Sequence, residues 1–318
     1  MQKALVIGSE GNIGKPLCTF LKQKGYDVLA SDIRSSSRDG FIMADITNPA
    51  DLIPAFDWRP DIVFLLGAMV SRVTCEQASS LAVNTNLLGV QNVLDLTKKH
   101  NAKLVYFSTS EVYGPELDVM TEAVVPKPNN RYGLTKLLSE SLVKYEVENY
   151  GLRAVILRPF MIYSEDEDFG DHRSAMIRFA YNLANGKSIS VHEGSVRGWM
   201  HISDALRSIE ASCKVENFEI INIGSPELHE VIYLAELIRK ELNAPADLIK
   251  ISKLPGRMTL NKNPDLTKQR EILGIIPEIS LETGIKKVCE KVLQRIAVEK
   301  IHPGDFPFKS SVKLHAEG

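Results

Sequence analysis

The chain has 318 residues, 44% hydrophobic and 25% charged, which is ordinary for a globular protein and long enough for a large α/β domain plus an appendage. Its 38 basic and 40 acidic residues leave a formal charge of -2, so the global electrostatics give no reason to expect a nucleic-acid or anionic-membrane partner. The longest apolar run, Ile62 to Val70, is about half of a membrane span. The first apolar stretch meets Gly8-Ser9-Glu10-Gly11 too soon for a signal peptide. The four cysteines form no Cys-x-x-Cys pair, so a reduced, cytoplasmic protein without structural zinc is expected.

In chain order, short apolar runs at Ala4 to Ile7, Asp27 to Ser31, Gly40 to Ala44, Asp61 to Leu66, Lys103 to Phe107 and Ala154 to Leu157 read as strands buried on both faces. Between them Ile13 to Lys24, Ala50 to Phe56, Leu81 to His100 and Tyr132 to Tyr150 carry helical periodicity. The alternation predicts a Rossmann-type doubly wound parallel sheet over residues 1–160. After Arg158-Pro159 the rhythm breaks. Helices are expected at Ser174 to Asn185, Leu228 to Leu242 and Leu281 to Gln294, within a smaller C-terminal α/β domain over 161–318. The β-like Glu219 to Ile223 is expected to return to the main sheet, and the tail from His302 to Gly318 shows little periodicity.

Directly after the first strand, Gly8-Ser9-Glu10-Gly11-Asn12-Ile13-Gly14 opens a helix. Glycines at that spacing allow a tight turn and bring backbone close to a pyrophosphate on the helix N-terminus; the alternative is a glycine-rich turn with no ligand. Asp32 closes the second strand 18 residues past Gly14, where a carboxylate accepts from ribose hydroxyls and repels a 2′-phosphate. That favours NAD, although Arg34 nearby is what a 2′-phosphate would want. Asp45 and Ile46 either flank the adenine or, in the case of Asp45, cap the next helix.

Tyr132 and Lys136 are spaced i, i+4 at a helix start, the only Tyr-x-x-x-Lys/Arg in the chain, and so project from one face. The fifth strand ends in Ser108-Thr109-Ser110-Glu111-Val112-Tyr113-Gly114, setting hydroxyls and a carboxylate at the sheet edge where open α/β folds bind ligands.

With these motifs, and with Leu66-Gly67-Ala68, Asn86-Leu87-Leu88-Gly89, Arg158-Pro159-Phe160, Arg197 to Ala205 and Ile221-Asn222-Ile223-Gly224, the chain resembles the extended short-chain dehydrogenase/reductases that act on nucleotide sugars as epimerases, dehydratases and decarboxylases. The resemblance implies that NAD is held by Gly8, Gly11, Asn12, Ile13, Gly14, Asp32, Ile33, Asp45, Ile46, Leu66, Gly67, Ala68, Asn86, Ser108, Tyr132, Lys136 and Pro159. It further implies that Tyr132 is the base and acid, that Lys136 lowers its pKa, and that Thr109 bonds the reacting hydroxyl. Sugar C4 then becomes a ketone. Return of hydride to the opposite face gives an epimer, loss of the C5 proton permits dehydration, and a C6 carboxylate can leave as CO2. Epimerisation is the leading expectation.

Glu111 is a candidate C5 base for the dehydratase or decarboxylase route, or else a solvated loop residue. Ser110, Arg178, Arg197 and Arg257 are the candidate substrate contacts, the arginines against surface positions as the plain alternative. Two departures from the family pattern, Met161 for Asn and Tyr163-Ser164-Glu165 for Tyr-Gly-Pro, fall at positions that lie near the substrate phosphates in relatives. The acidic stretch Glu165 to Asp168 is either a substrate lid or a solvated loop. No His-x-His or His-x-x-x-His pair suggests a metal, and His201, in a strand-like context, reads as a packed or interface residue. A non-catalytic NAD(H)-binding protein is the rival class. Relatives pair the helices matching Leu81 to His100 and Tyr132 to Tyr150 in a four-helix interface, so a homodimer is expected.

Overall fold

The computed structural model describes residues 1–115, 118–170, 174–253 and 259–301. The chain enters on β1 (Lys3–Ile7), turns into α1 (Gly14–Gln23), and continues through β2 (Asp27–Asp32), β3 (Phe41–Met43), α2 (Pro49–Asp57) and β4 (Ile62–Leu65). Two short helices, α3 (Arg72–Gln77) and α4 (Ser79–Val83), lead through a π-helical turn at Asn84–Leu88 into α5 (Gly89–Lys99). β5 (Lys103–Phe107), α6 (Arg131–Tyr150) and β6 (Arg153–Pro159) complete the alternation.

Beyond it come β7 (Ile162–Tyr163), α7 (Ala175–Ala184), β8 (Ile189–His192), β9 (Val196–Gly198), β10 (Met200–His201), α8 (Ile202–Ser212), β11 (Glu219–Ile223), β12 (Leu228–Glu230) and α9 (Val231–Glu241). The described chain ends with β13 (Ile249–Ser252), β14 (Asn261–Lys262), α10 (Thr267–Glu271) and α11 (Leu281–Ile301).

Seven parallel strands form one sheet in the order β11-β6-β5-β4-β1-β2-β3. Strand side chains alternate between its faces. Leu5, Ile7, Val63, Leu65, Leu104 and Tyr106 pack on one side with α2 and α5 residues, while Ala4, Val6, Ile62, Phe64, Val105 and Phe107 pack on the other with Leu17, Leu21 and Ile209. Both faces are covered, which is why the strands read as continuous apolar runs. Register pairs Ile7 with Ser31 and Leu65, and Phe107 with Leu157, so Gly8, Asp32, Leu66 and Ser108 emerge along one C-terminal edge.

The single helix expected over Leu81 to His100 is broken. Asn86 is wholly buried in the π-turn: its Oδ1 accepts from Met69 N at 2.9 Å, and its Nδ2 donates to Met69 O at 3.1 Å and Thr135 Oγ1 at 3.0 Å. One widened turn delivers that amide inward, tying the loop after β4 to α6. A second difference is α8, where no helix was expected. His201 ends β10 and at once caps α8, its Nδ1 accepting from Ser203 N at 3.2 Å, so the strand-like stretch ends one residue before a helix.

The second layer has its own core. Ile177 and Ala180 of α7, Leu234 and Ile238 of α9, and Val288 and Val292 of α11 pack around Trp199. Three small sheets, β7-β10, β12-β9-β14 and β8-β13, roof the C-terminal edge of the large one. Among the described residues no helix is long and apolar enough to cross a membrane.

Candidate active site

Two cavities open along that edge. The first, about 680 Å³, is lined by the glycine turn, the ends of β2 and β4, and α6. Gly8 has φ of 89°, and a Cβ there would stand 2.5 Å from Gly67 N; a Cβ on Gly14 would run into the Gly8 carbonyl. The turn is therefore as close to its neighbours as backbone can be, which leaves room for a diphosphate. Asp32 accepts from Glu10 N at 2.9 Å and from Arg34 Nε at 3.2 Å, and Arg34 is half exposed. Asp45 lines the cavity with Ile46 and folds onto Thr47; it does not cap α2, a position held by Asn48, whose Oδ1 accepts from Ala50 N at 3.2 Å.

Of the residues expected to hold NAD, Gly8, Gly11, Asn12, Ile13, Gly14, Asp32, Ile33, Leu66, Gly67, Ala68, Ser108, Tyr132, Lys136 and Pro159 also line this cavity. Asn86 does not, because its amide is spent on Met69 and Thr135. The size, the glycine cradle and a carboxylate at the end of β2 fit a dinucleotide.

The second cavity, about 540 Å³, lies under the roof of small strands, and Tyr132 lines both. Asn130 caps α6, its Oδ1 accepting from Gly133 N at 2.9 Å, and so sets the first turn, which carries Tyr132, with Lys136 one turn further on. Thr109, two residues past β5, lies beside the Tyr132 phenol and lines the second cavity with it. Burial raises the Tyr132 phenol above its ordinary value, Glu111 pushes the same way, and Thr109 opposes them. Burial also brings the Lys136 ammonium down to about 7, against a smaller opposing pull from Glu140. Its Nζ lies 4.2 Å from the centre of the Tyr106 ring and, among the described residues, has no hydrogen-bond or ion-pair partner. Lys136 is not among the groups that shift the Tyr132 phenol, which burial alone dominates.

Glu111 is no solvated loop residue. Its Oε1 pairs with Lys262 Nζ, and its Oε2 accepts from Asn130 Nδ2 at 2.8 Å and lies 3.6 Å from Arg72. Burial alone would raise this carboxyl, but Lys262 and Arg72 outweigh it and hold the group at about 2. Lys262 Nζ also reaches Ser110 Oγ at 3.2 Å. Neither cation was singled out by the sequence. Arg72 lies in an unpatterned stretch after Val70-Ser71, and Lys262 lies in a two-residue strand that only the tertiary fold brings to Glu111.

Ser110, Arg178 and Arg197 line the second cavity. Arg197 is buried, and its guanidinium donates to the carbonyls of Val196, Leu260 and Thr259 at 2.7, 2.5 and 2.6 Å; burial lowers it to about 10. Arg257 lies outside the described residues. Met161, standing where the family pattern has Asn, has φ of 37°, a left-handed conformation that Asn tolerates better. Two of the four acidic residues turn inward, Glu165 meeting His201 Nε2 at 3.0 Å and Glu167 accepting from Ser174 N at 2.9 Å, while Asp166 is exposed. Beneath the site, Arg158 grips Glu140 at 2.9 and 2.6 Å, and Ser108 donates to the same carboxylate. No group of three or more His, Cys, Asp or Glu among the described residues is placed to hold a metal.

Residues 4–224 match the NAD dependent epimerase/dehydratase family. The chain is 26% identical to the UDP-N-acetyl-alpha-D-glucosaminuronate decarboxylase of Bacillus cytotoxicus, over 91% of this chain and 97% of the relative. Among solved structures it resembles the UDP-glucuronic acid 4-epimerase of Bacillus cereus, in complex with UDP-glucuronic acid and NAD, with a TM-score of 0.83 and 25% identity over 92% of this chain and 100% of that one. It also shares the fold of the Thermotoga maritima UDP-glucose 4-epimerase, with a TM-score of 0.87 and 24% identity over 93% and 100% of the two chains. A match that runs from β1 through β11, over a cavity shaped for a dinucleotide, leaves one conclusion: the chain is an enzyme of the NAD dependent epimerase/dehydratase family.

Proposed function

We propose that the protein is a nucleotide-sugar epimerase working through a 4-keto intermediate. The observation that carries this is the position of Tyr132, which lines both cavities with Thr109 beside it in the second. A sugar in the second cavity puts its C4 hydroxyl at that seam. Thr109 orients the hydroxyl, Tyr132 takes its proton, and Lys136 supplies positive charge one turn along α6. NAD, which the glycine turn and Asp32 would hold, would supply the hydride acceptor for C4.

Glu111 decides between routes. A carboxylate held at about 2 by Lys262 and Arg72 is a poor proton acceptor, which supports a reaction that needs no third base. Epimerisation needs none, and neither does loss of CO2 from a β-keto acid. Decarboxylation is therefore the second reading, favoured by the Bacillus cytotoxicus relative, whose name is that of a decarboxylase. The test is product mass after incubation with a panel of neutral and acidic nucleotide sugars. Unchanged mass with a new epimer is expected; loss of CO2 would establish the second reading, loss of water would return Glu111 to the role of base, and loss of two hydrogens would mean net oxidation.

A homodimer belongs to the same proposal. Leu81, Leu88, Leu134, Leu138, Tyr145 and Tyr150, from the α4 to α6 region, are each more than 40% exposed, an apolar set of the kind that a second copy covers. Sedimentation at micromolar concentration should give twice the 35.4 kDa chain mass, and a monomer would contradict it.

A further inference from the structure

Lys262 comes from the roof of the substrate cavity, yet its ammonium ends beside the reacting edge of the sheet. It meets Ser110 and Glu111, the two residues that follow Thr109. Its side chain is 8% exposed and that of Glu111 12%. A buried ion pair is weak evidence for a stabilising role, because apolar residues of similar volume commonly do as well. The charges here also do not cancel: Lys262 and Arg72 face the one carboxylate of Glu111, so one positive charge is left over, and all three residues line the cavity.

Pyranose geometry says which part of a sugar meets that charge. With C4 at Thr109 and Tyr132, C6 hangs from the adjacent carbon, C5, while C1, which carries the diphosphate, lies across the ring. Cations at the C4 end thus face the substituents of C3 and C5, of which only C6 on C5 can be a carboxylate, and Arg178 and Arg197 remain for the diphosphate. A neutral hydroxymethyl group would leave the excess charge uncompensated in a partly dehydrated cavity. An acidic group on C6 would complete the neutralisation.

We infer that Lys262, together with Arg72, is a specificity determinant that selects a nucleotide sugar bearing a carboxylate on C6. Glu111 is its positioning partner and fixes the ammonium at the reacting end. This rests on the nucleotide-sugar reading above.

The test compares UDP-glucuronate with UDP-glucose on the NAD-loaded full chain, by kcat/KM and by calorimetric Kd. The wild type is set against Lys262→Met, Lys262→Arg and Arg72→Met. The wild type should prefer the acidic sugar by about tenfold or more. That ratio should fall toward parity in Lys262→Met and Arg72→Met, and Lys262→Arg should keep it. Arg72 is already 35% exposed, so its replacement carries the test even where Lys262→Met fails to fold. A wild type that favours UDP-glucose, or a ratio that neither neutral variant moves, overturns the assignment and leaves the nucleotide-sugar reading standing. A wild type that binds neither sugar overturns both.

Discussion

The two cavities are made of different material. The cofactor side is built mainly from backbone: Gly8, Gly11 and Gly14 come from one turn, and Gly67 packs against it from the end of β4. The substrate side is built from charged side chains that converge from distant elements, Arg72 from α3, Glu111 from beyond β5, Arg178 from α7 and Lys262 from β14. A backbone cradle such as the glycine turn fails when bulk is added. A set of converging charges fails when one of them is removed. Tyr132 at the seam belongs to neither class and should fail chemically with both binding sites intact.

The seam gives the largest expected effect. Tyr132→Phe keeps the ring and removes the proton acceptor, so turnover should fall by about 10³ or more while NAD and nucleotide-sugar affinities stay within about threefold. Single-turnover kinetics with calorimetry would show this, and unchanged turnover would remove Tyr132 from the mechanism. On the cofactor side, Gly14→Ala drives a methyl into the Gly8 carbonyl, and NAD affinity should drop about 10- to 100-fold with a lower thermal midpoint. If NAD affinity survives, the cradle is looser than its backbone contacts imply.

The smallest effect belongs to the charged side and depends on pH. The Glu111 carboxyl lies at about 2 in the fold against 4.5 as its ordinary value. Its ionised form therefore contributes stability above 4.5 that drains away as pH falls toward 2. Glu111→Gln should lower the thermal midpoint at neutral pH, since Lys262 is left buried without its partner, and should flatten the acid loss between 4.5 and 2. Melting curves across that window check it; an acid limb as steep as the wild type would assign the titration to another group.

The same contrast explains what the sequence disclosed. The glycine turn, Asp32 and the Tyr132/Lys136 pair were legible because each is a local pattern at a strand end or on one helix face, and they meet in one cavity. The strand at Glu219 to Ile223 was legible from its β-branched run and does join the sheet. Asn86 was recognised as a motif, but its burial in a π-turn depends on Met69 and Thr135, which no spacing rule connects to it. Asn48 rather than Asp45 caps α2, a difference of three positions that turn geometry alone decides. Lys262 and Arg72 had no local signature, because their meaning comes from Glu111, 151 residues from Lys262 in the chain. The helix α8 was hidden by a histidine that serves a strand and a cap at once.

The path of the chain through β11 bears on how the molecule comes apart. The polypeptide leaves the large sheet after Pro159, builds part of the roof, comes back as the last strand beside β6, and leaves again after Ile223. The roof is stitched through the sheet rather than appended to it. A truncation at residue 160 would strip β6 of its neighbour and bare an edge running through Val155 and Leu157, both fully buried in the whole protein. Sheet and roof should therefore melt in one transition, and a fragment cut at that point should pair edge to edge and precipitate.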